Sequence, residues 1–169
     1  MKTPPDVVTR LAQLQKRKEA LRLFALVDGT RYLAQFGEPC IEQVGIRSLF
    51  TGTPDAALAH AGPWLVDAEQ VGPMMVDALA TLERAAPAVT WLIASPTLES
   101  LVRLLQLKLN TVMPDGRIAL LRFWDPRVLI NLAELLEHAQ REVFFGDIDE
   151  WHLLHHGQRT WIGSRHAHA

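Results

Sequence analysis

Four short apolar runs, each followed by a helix-forming stretch, set the terms on which this chain can fold. The clearest is Leu23-Phe24-Ala25-Leu26-Val27, closed by Asp28-Gly29. Successive side chains of a strand point to opposite faces, so an unbroken run of this kind needs cover on both. Residues 44–50, ending in Leu49-Phe50, give a weaker strand, and Pro63-Trp64-Leu65-Val66-Asp67 and Val89-Thr90-Trp91-Leu92-Ile93-Ala94 give two more. Helix signals lie between them. A turn leads into a short helix at 31–36, and Thr51-Gly52-Thr53-Pro54-Asp55 opens a helix running to about His60. Pro73–Ala86 is stopped by Pro87, and Ser95-Pro96-Thr97 caps a helix over 97–108. Ahead of the first strand, Val7, Leu11, Leu14 and Leu21 fall at helical spacing over 6–21. Strands alternating with helices predict an α/β fold with a mixed, mostly parallel sheet, flanked by helices and joined by right-handed crossovers.

The pattern changes after residue 108. Leu109–Met113 and Arg117–Phe123 are separated only by Pro114-Asp115-Gly116, which predicts an antiparallel hairpin over 109–123. Asp125-Pro126 then supplies a carboxylate cap and a proline in the first turn of a helix whose apolar side includes Val128, Leu129, Leu132, Leu135 and Leu136. A short helical stretch to Phe144-Phe145, a break at Gly146 and a closing hairpin over 148–163 around His156-Gly157 complete the chain. The expected organisation is an N-terminal helix, 1–21, packed on one α/β domain, 22–163, with a frayed tail at 164–169. At 19.0 kDa the chain can bury about 70% of its unfolded surface.

Charge narrows the function classes. A net charge of −2 gives no overall basic field for binding nucleic acid. Residues 1–22 nevertheless carry six basic groups against Asp6 and Glu19, a net of +4 that leaves −6 for the rest. That basic helix reads as a solvated face, with an acidic partner as the alternative. Cys40 is the single cysteine, which excludes an intrachain disulfide and a multi-cysteine zinc site. The start, Met-Lys-Thr-Pro-Pro-Asp, has no apolar run behind it and no stretch approaches a membrane span, so a cytoplasmic location is expected.

No candidate chemistry rises above its structural reading. Asp28, Asp67 and Asp125 stand at strand ends, where an aspartate usually caps a helix. His152, His155 and His156 lie close together but lack a ligand spacing, and read as surface histidines. Neither a phosphate-binding glycine loop nor a G-x-S-x-G elbow occurs. No cofactor and no metal is expected. Core packing accounts for Trp64, Trp91 and Trp124, read as strand residues, whereas Trp151 and Trp161 in the closing hairpin are either buried or, if exposed, interface anchors.

Seven strings occur in an order that resembles one family: Leu26-Val27-Asp28-Gly29, Leu49-Phe50-Thr51-Gly52-Thr53-Pro54, Gly62-Pro63-Trp64-Leu65-Val66, Ser95-Pro96, Pro114-Asp115-Gly116, Leu121-Arg122-Phe123-Trp124-Asp125-Pro126-Arg127-Val128-Leu129 and Phe144-Phe145-Gly146-Asp147. Over roughly residues 22–154 the chain resembles the type VI secretion effector adaptors, first catalogued as domain of unknown function 4123. The resemblance implies a non-enzymatic adaptor. Such an adaptor holds a toxic effector through the effector's N-terminal or pre-toxin region and delivers it to the VgrG spike. Where relatives commonly carry a His/Arg-rich helix end, this chain has Leu104-Leu105-Gln106-Leu107-Lys108. Many relatives also continue into a C-terminal lobe, so a minimal form, or one with fewer partners, is expected here.

Arg122 and Arg127 are explicable without a partner, because either can pair with Asp125 or bond carbonyls of the turn and fix the hairpin-to-helix junction. Arg122, Trp124, Asp125 and Arg127, with Trp151 and Trp161, are therefore the residues expected to shape or touch the partner surface. An adaptor predicts an exposed apolar patch or an open strand edge. The alternatives, a small α/β enzyme or a small-molecule-binding regulatory module, predict a deep pocket with converging polar groups.

Overall fold

The computed structural model describes residues 4–163 and 167–168. Helix α1 (Pro5–Gln15) leads into strand β1 (Arg22–Asp28). Then come α2 (Gly29–Phe36), β2 (Ile46–Ser48), a 3-10 segment Ala56–Ala61, β3 (Pro63–Asp67), the single turn α3 (Ala68–Val71), α4 (Pro73–Ala85) and β4 (Val89–Ala94). The second half contains α5 (Leu98–Gln106), β5 (Asn110–Val112), β6 (Ile118–Leu120), α6 (Pro126–Leu135), α7 (His138–Phe145), β7 (Glu150–His155), β8 (Gln158–Gly163) and β9 (Ala167–His168). Helix α1 is shorter than the expected 6–21, because residues 16–21 turn the chain back into β1. There the Gln15 amide donates to the Leu21 carbonyl at 2.8 Å.

One seven-stranded sheet runs in the order β2-β3-β1-β4-β7-β8-β9. Every neighbouring pair in it is antiparallel, so the expected mostly parallel sheet is wrong. The alternation of strand and helix was nonetheless a true signal. β1 and β2 both run antiparallel to β3, and so point the same way with β3 between them. β3 and β4 likewise flank β1 and point the same way. The β1-α2-β2 and β3-α4-β4 crossovers each join two parallel strands, and the other unit's strand is inserted between them. Two split β-α-β units are thus interleaved, and the inserted strands make every contact antiparallel.

The unbroken apolar runs do face cover on both sides. Phe24 and Leu26 of β1 join Leu65, Leu92, Trp151 and Leu153 on one face, beneath α5, α6 and the Phe123-Trp124 pair. Leu23, Ala25 and Val27 join Trp64, Val66, Trp91 and Ile93 on the other, beneath α1 and α4. Within α5, Leu101 and Leu105 lie one turn apart and are wholly buried. Burial of each such side chain stabilises the fold by about 1.5–3 kcal/mol.

Strands β5 and β6 form the expected hairpin but stand apart as their own two-stranded sheet, with Val112 opposite Ile118. The closing hairpin is β7 and β8, with His156 and Gly157 at positive φ in its turn. Of the tail expected to fray, residues 164–166 and 169 lie outside the described residues, while Ala167–His168 pairs with Trp161 and Ile162. No helix among the described residues is long and apolar enough to cross a membrane.

Candidate functional site

Four of the seven strings meet at the carboxyl end of β1. The Asp28 carboxylate caps α2 by accepting from the Thr30 and Arg31 backbone at 2.9 and 3.3 Å. The neighbouring Gly29 N–H donates to the Gly62 carbonyl at 2.8 Å, and a Cβ at Gly29 would come within 2.7 Å of the His60 and Gly62 oxygens. Gly62 in turn packs on the Phe50 ring. Phe50 meets Trp124 edge-on at 5.8 Å, and Trp124 meets Phe123 at 6.0 Å. Asp67 is a second cap, accepting from the Glu69 backbone at 3.0 Å. Trp124 is buried in the turn before α6 and not in a strand as expected.

Asp125 fixes the entry of α6. Its Oδ1 accepts from the Arg127 backbone at 2.9 Å, and the Arg127 guanidinium returns across both carboxylate oxygens at 3.1 and 2.8 Å. The Arg122 guanidinium lies over the Trp124 ring at 5.8 Å. Burial alone would push the Asp125 carboxyl up, but the bonds from Arg127 and the charges of Arg127 and Arg122 outweigh it, so the carboxyl sits below its ordinary value. At Asp28 burial prevails over the backbone bonds and the charges of Arg122 and Arg31, and the carboxyl sits above it.

Loss of a helix cap costs about 1 kcal/mol, and Asp125→Ala is expected to cost that much in urea unfolding at neutral pH. Because the folded-state carboxyl is depressed, its stabilisation is fully present above the ordinary carboxylate range and is lost as the pH falls through the folded value. The gap between wild type and Asp125→Asn should therefore narrow progressively as the pH falls below the ordinary carboxylate range and through the depressed folded value. A gap that stays constant down to pH 2 would mean that the carboxylate charge contributes nothing.

The terminal tryptophans part company. Trp151 is fully buried among Phe144 and Phe145, with its indole N–H directed to the Phe145 carbonyl at 3.4 Å, so it is core. Trp161 is half-buried beside α1, with the Arg10 guanidinium over its ring at 5.1 Å and the His152 ring stacked at 6.1 Å.

His152, expected at the surface, is buried with Nε2 2.8 Å from Glu150. Glu150 also takes a fork from Arg10 at 2.5–3.0 Å. Burial pushes the Glu150 carboxyl up, and the bonds and charges of His152 and Arg10 more than reverse this, leaving it below its ordinary value. Arg159 binds Glu83 and Asp6 together, and Lys18 reaches Asp149 at 3.2 Å. Arg10 and Lys18 of the basic N-terminal segment thus find their acidic partners at the chain's own β7 region, while Arg159 of β8 ties Asp6 of α1 to Glu83 of α4. An open groove of about 460 Å³ borders this network, but Arg10 and Arg159 are already engaged by carboxylates. No group of three or more histidine, cysteine, aspartate and glutamate side chains among the described residues is placed to hold a metal. Cys40 is buried, with its thiol pushed up to about 12, where it is inert.

A larger open groove, about 660 Å³, lies between α5, the β5–β6 hairpin, α6 and α7. Leu104, Leu107, Leu132, Leu136, Val143 and Phe144 line it, with Lys108 and Asp147 bridged at 3.3 Å on its border. Leu107 and Val143 are 81% and 78% exposed. Beside it the hairpin presents Val112 and Ile118, each 72% exposed. The sequence signal was present: Leu104 and Leu107 fall off the Leu98, Leu101, Val102 and Leu105 stripe that α5 buries.

A family model described as a domain of unknown function, DUF4123, matches residues 23–142. The chain belongs to that family. No curated protein and no solved structure shows a significant match. The DUF4123 match begins within β1 and ends within α7, taking in the junction around Trp124 and most of the large groove. Helix α1 and strands β7–β9 lie outside it, and the ion pairs of Arg10 and Lys18 join these two flanking parts to each other. The DUF4123 strings gathered at the end of β1 are accounted for by caps, close backbone approach and aromatic packing.

Proposed function

We propose that this DUF4123 protein is a cytoplasmic type VI secretion adaptor that binds a toxic effector, through the effector's N-terminal or pre-toxin region, and helps load it onto the VgrG spike. The observation that carries this reading is the concentration of exposed apolar side chains between residues 107 and 143. Leu107 and Val143 line the groove, Val112, Met113, Ile118 and Leu120 belong to the hairpin, and Leu135 ends α6. Exposed apolar side chains concentrated in this way are the mark of a surface that takes a protein partner. The family membership supplies the secretion context through the resemblance stated above. The reading assigns the chain no catalytic step, and the polar groove at α1, whose charges neutralise one another, serves to close the fold.

Affinity purification from a host with active type VI secretion, with co-purified effector and VgrG-type spike proteins identified by mass spectrometry, tests the proposal. Wild type should recover both, and Leu107→Asp/Val143→Asp should lose the effector by tenfold or more while its thermal unfolding stays unchanged. Those side chains already face water, so their replacement should alter stability by no more than about 0.5 kcal/mol. Recovery of neither protein with the wild-type chain would overturn the reading.

A further inference from the structure

We infer that the partner segment seated in the large groove is an amphipathic α-helix with a basic outer face. The inference rests on the adaptor reading and adds to it the conformation and charge of what is held.

The conformation follows from the walls. Leu104 on α5, Leu132 on α6, and Ala139, Val143 and Phe144 on α7 are helical residues, with Leu107 and Leu136 at the C-terminal caps of α5 and α6, and the pairs Leu104–Leu107, Leu132–Leu136 and Ala139–Val143 are spaced i, i+3 or i, i+4 as in helix ridges. Ridges of this kind receive the ridges of another helix. Three walls of the groove are helices, whose central backbone groups are bonded within the helix. An extended segment laid against them would bury its own N–H and C=O groups without partners, at a cost of about 1–3 kcal/mol for each. A helix brings those bonds with it. Strand pairing is open only along the short β5–β6 hairpin, three residues to a strand.

The charge follows from the rim. Over residues 131–147 the exposed acidic side chains are Glu134, Glu137, Glu142 and Asp147, against His138, which pairs with Glu142 at 3.4 Å, while the exposed Arg127 at the start of α6 is paired with Asp125 at 2.8 Å. Arg141 is half-buried, turned to the Ala133 carbonyl and over the Phe145 ring. Lys108 is tied to Asp147. On α5, Arg103 is exposed, while Glu99 is paired with Arg47. An acidic wall beside an apolar floor fits a helix with leucine-type anchors at i, i+3, i+4 and i+7 and lysine or arginine on its outer side.

The test uses fluorescently labelled, overlapping 20-residue peptides spanning the effector and spike proteins that co-purify with the chain, titrated into the full-length protein by anisotropy. The bound peptide should carry a helical apolar stripe and a net positive charge. A proline at its centre should weaken it tenfold or more, as should Val143→Asp in the protein. Glu137→Lys/Glu142→Lys should weaken it severalfold, with the difference shrinking at high salt. The inference is overturned if the peptide tolerates the central proline, if it is acidic, or if Val143→Asp leaves its affinity unchanged. It is equally overturned if no peptide binds while the full-length partners do, or if the groove variants abolish only self-association of this chain. In those cases the adaptor reading survives; failure of both full-length partners to bind the wild type would remove that reading as well.

Discussion

Arg159→Ala is expected to cost the fold about 3–5 kcal/mol, a large loss for a single polar side chain. The cause is what remains behind. Glu83 on α4 is 6% exposed and is held by two bonds from the Arg159 guanidinium, at 2.5 and 3.1 Å, while the same guanidinium holds Asp6 of α1 at 2.9 Å. Removing it leaves a buried carboxylate with no countercharge, under a helix that must also give up a contact. A buried pair adds little net stability compared with apolar residues of the same shape, because its desolvation offsets its attraction. Glu83→Met/Arg159→Met is therefore expected to return within about 1–2 kcal/mol of wild type. Urea unfolding of the wild type, both single variants and the double variant measures the coupling directly. If Arg159→Ala alone cost less than about 0.5 kcal/mol, water would have to reach Glu83 and the network would be a surface one.

This network also shows what the sequence could not convey. The elements were readable because their signals are local: an apolar run for β1, Asp125-Pro126 for α6, and Pro114-Asp115-Gly116 for the β5–β6 hairpin. Strand direction was not. Alternation reports which strands a crossover joins, and it is silent on whether a third strand lies between them, as β3 does between β1 and β2. Nor could local pattern bring Arg10 to Glu150 or Asp6 to Arg159, since those partners come from opposite ends of the chain. A basic N-terminal helix and a histidine-bearing hairpin each looked like solvated surface when read alone. Together they close the sheet. The groove was half-legible, because off-stripe leucines on α5 are visible in the sequence but the walls that make them a groove are not.

The signature around Trp124 supplies the second large effect, and it separates shaping a surface from touching a partner. Trp124→Ala is expected to cost about 3–5 kcal/mol, since it empties a fully packed site between Phe50 and Phe123. Trp124→Phe should cost less than about 1.5 kcal/mol. The indole Nε1 is buried with no hydrogen-bond partner among the described residues, so phenylalanine gives up volume and part of the Arg122 contact but no hydrogen bond to them. Thermal and urea unfolding give both numbers. If the junction only shapes the surface, Trp124→Phe should also retain the effector at wild-type yield in co-purification, because the ring stays out of contact with any partner. A phenylalanine variant that keeps its stability and loses the effector would place this side chain in the interface and give the Arg122–Arg127 segment a contacting role. Retention would leave recognition to the exposed residues of the groove and hairpin, with the buried signature holding their supporting elements in place.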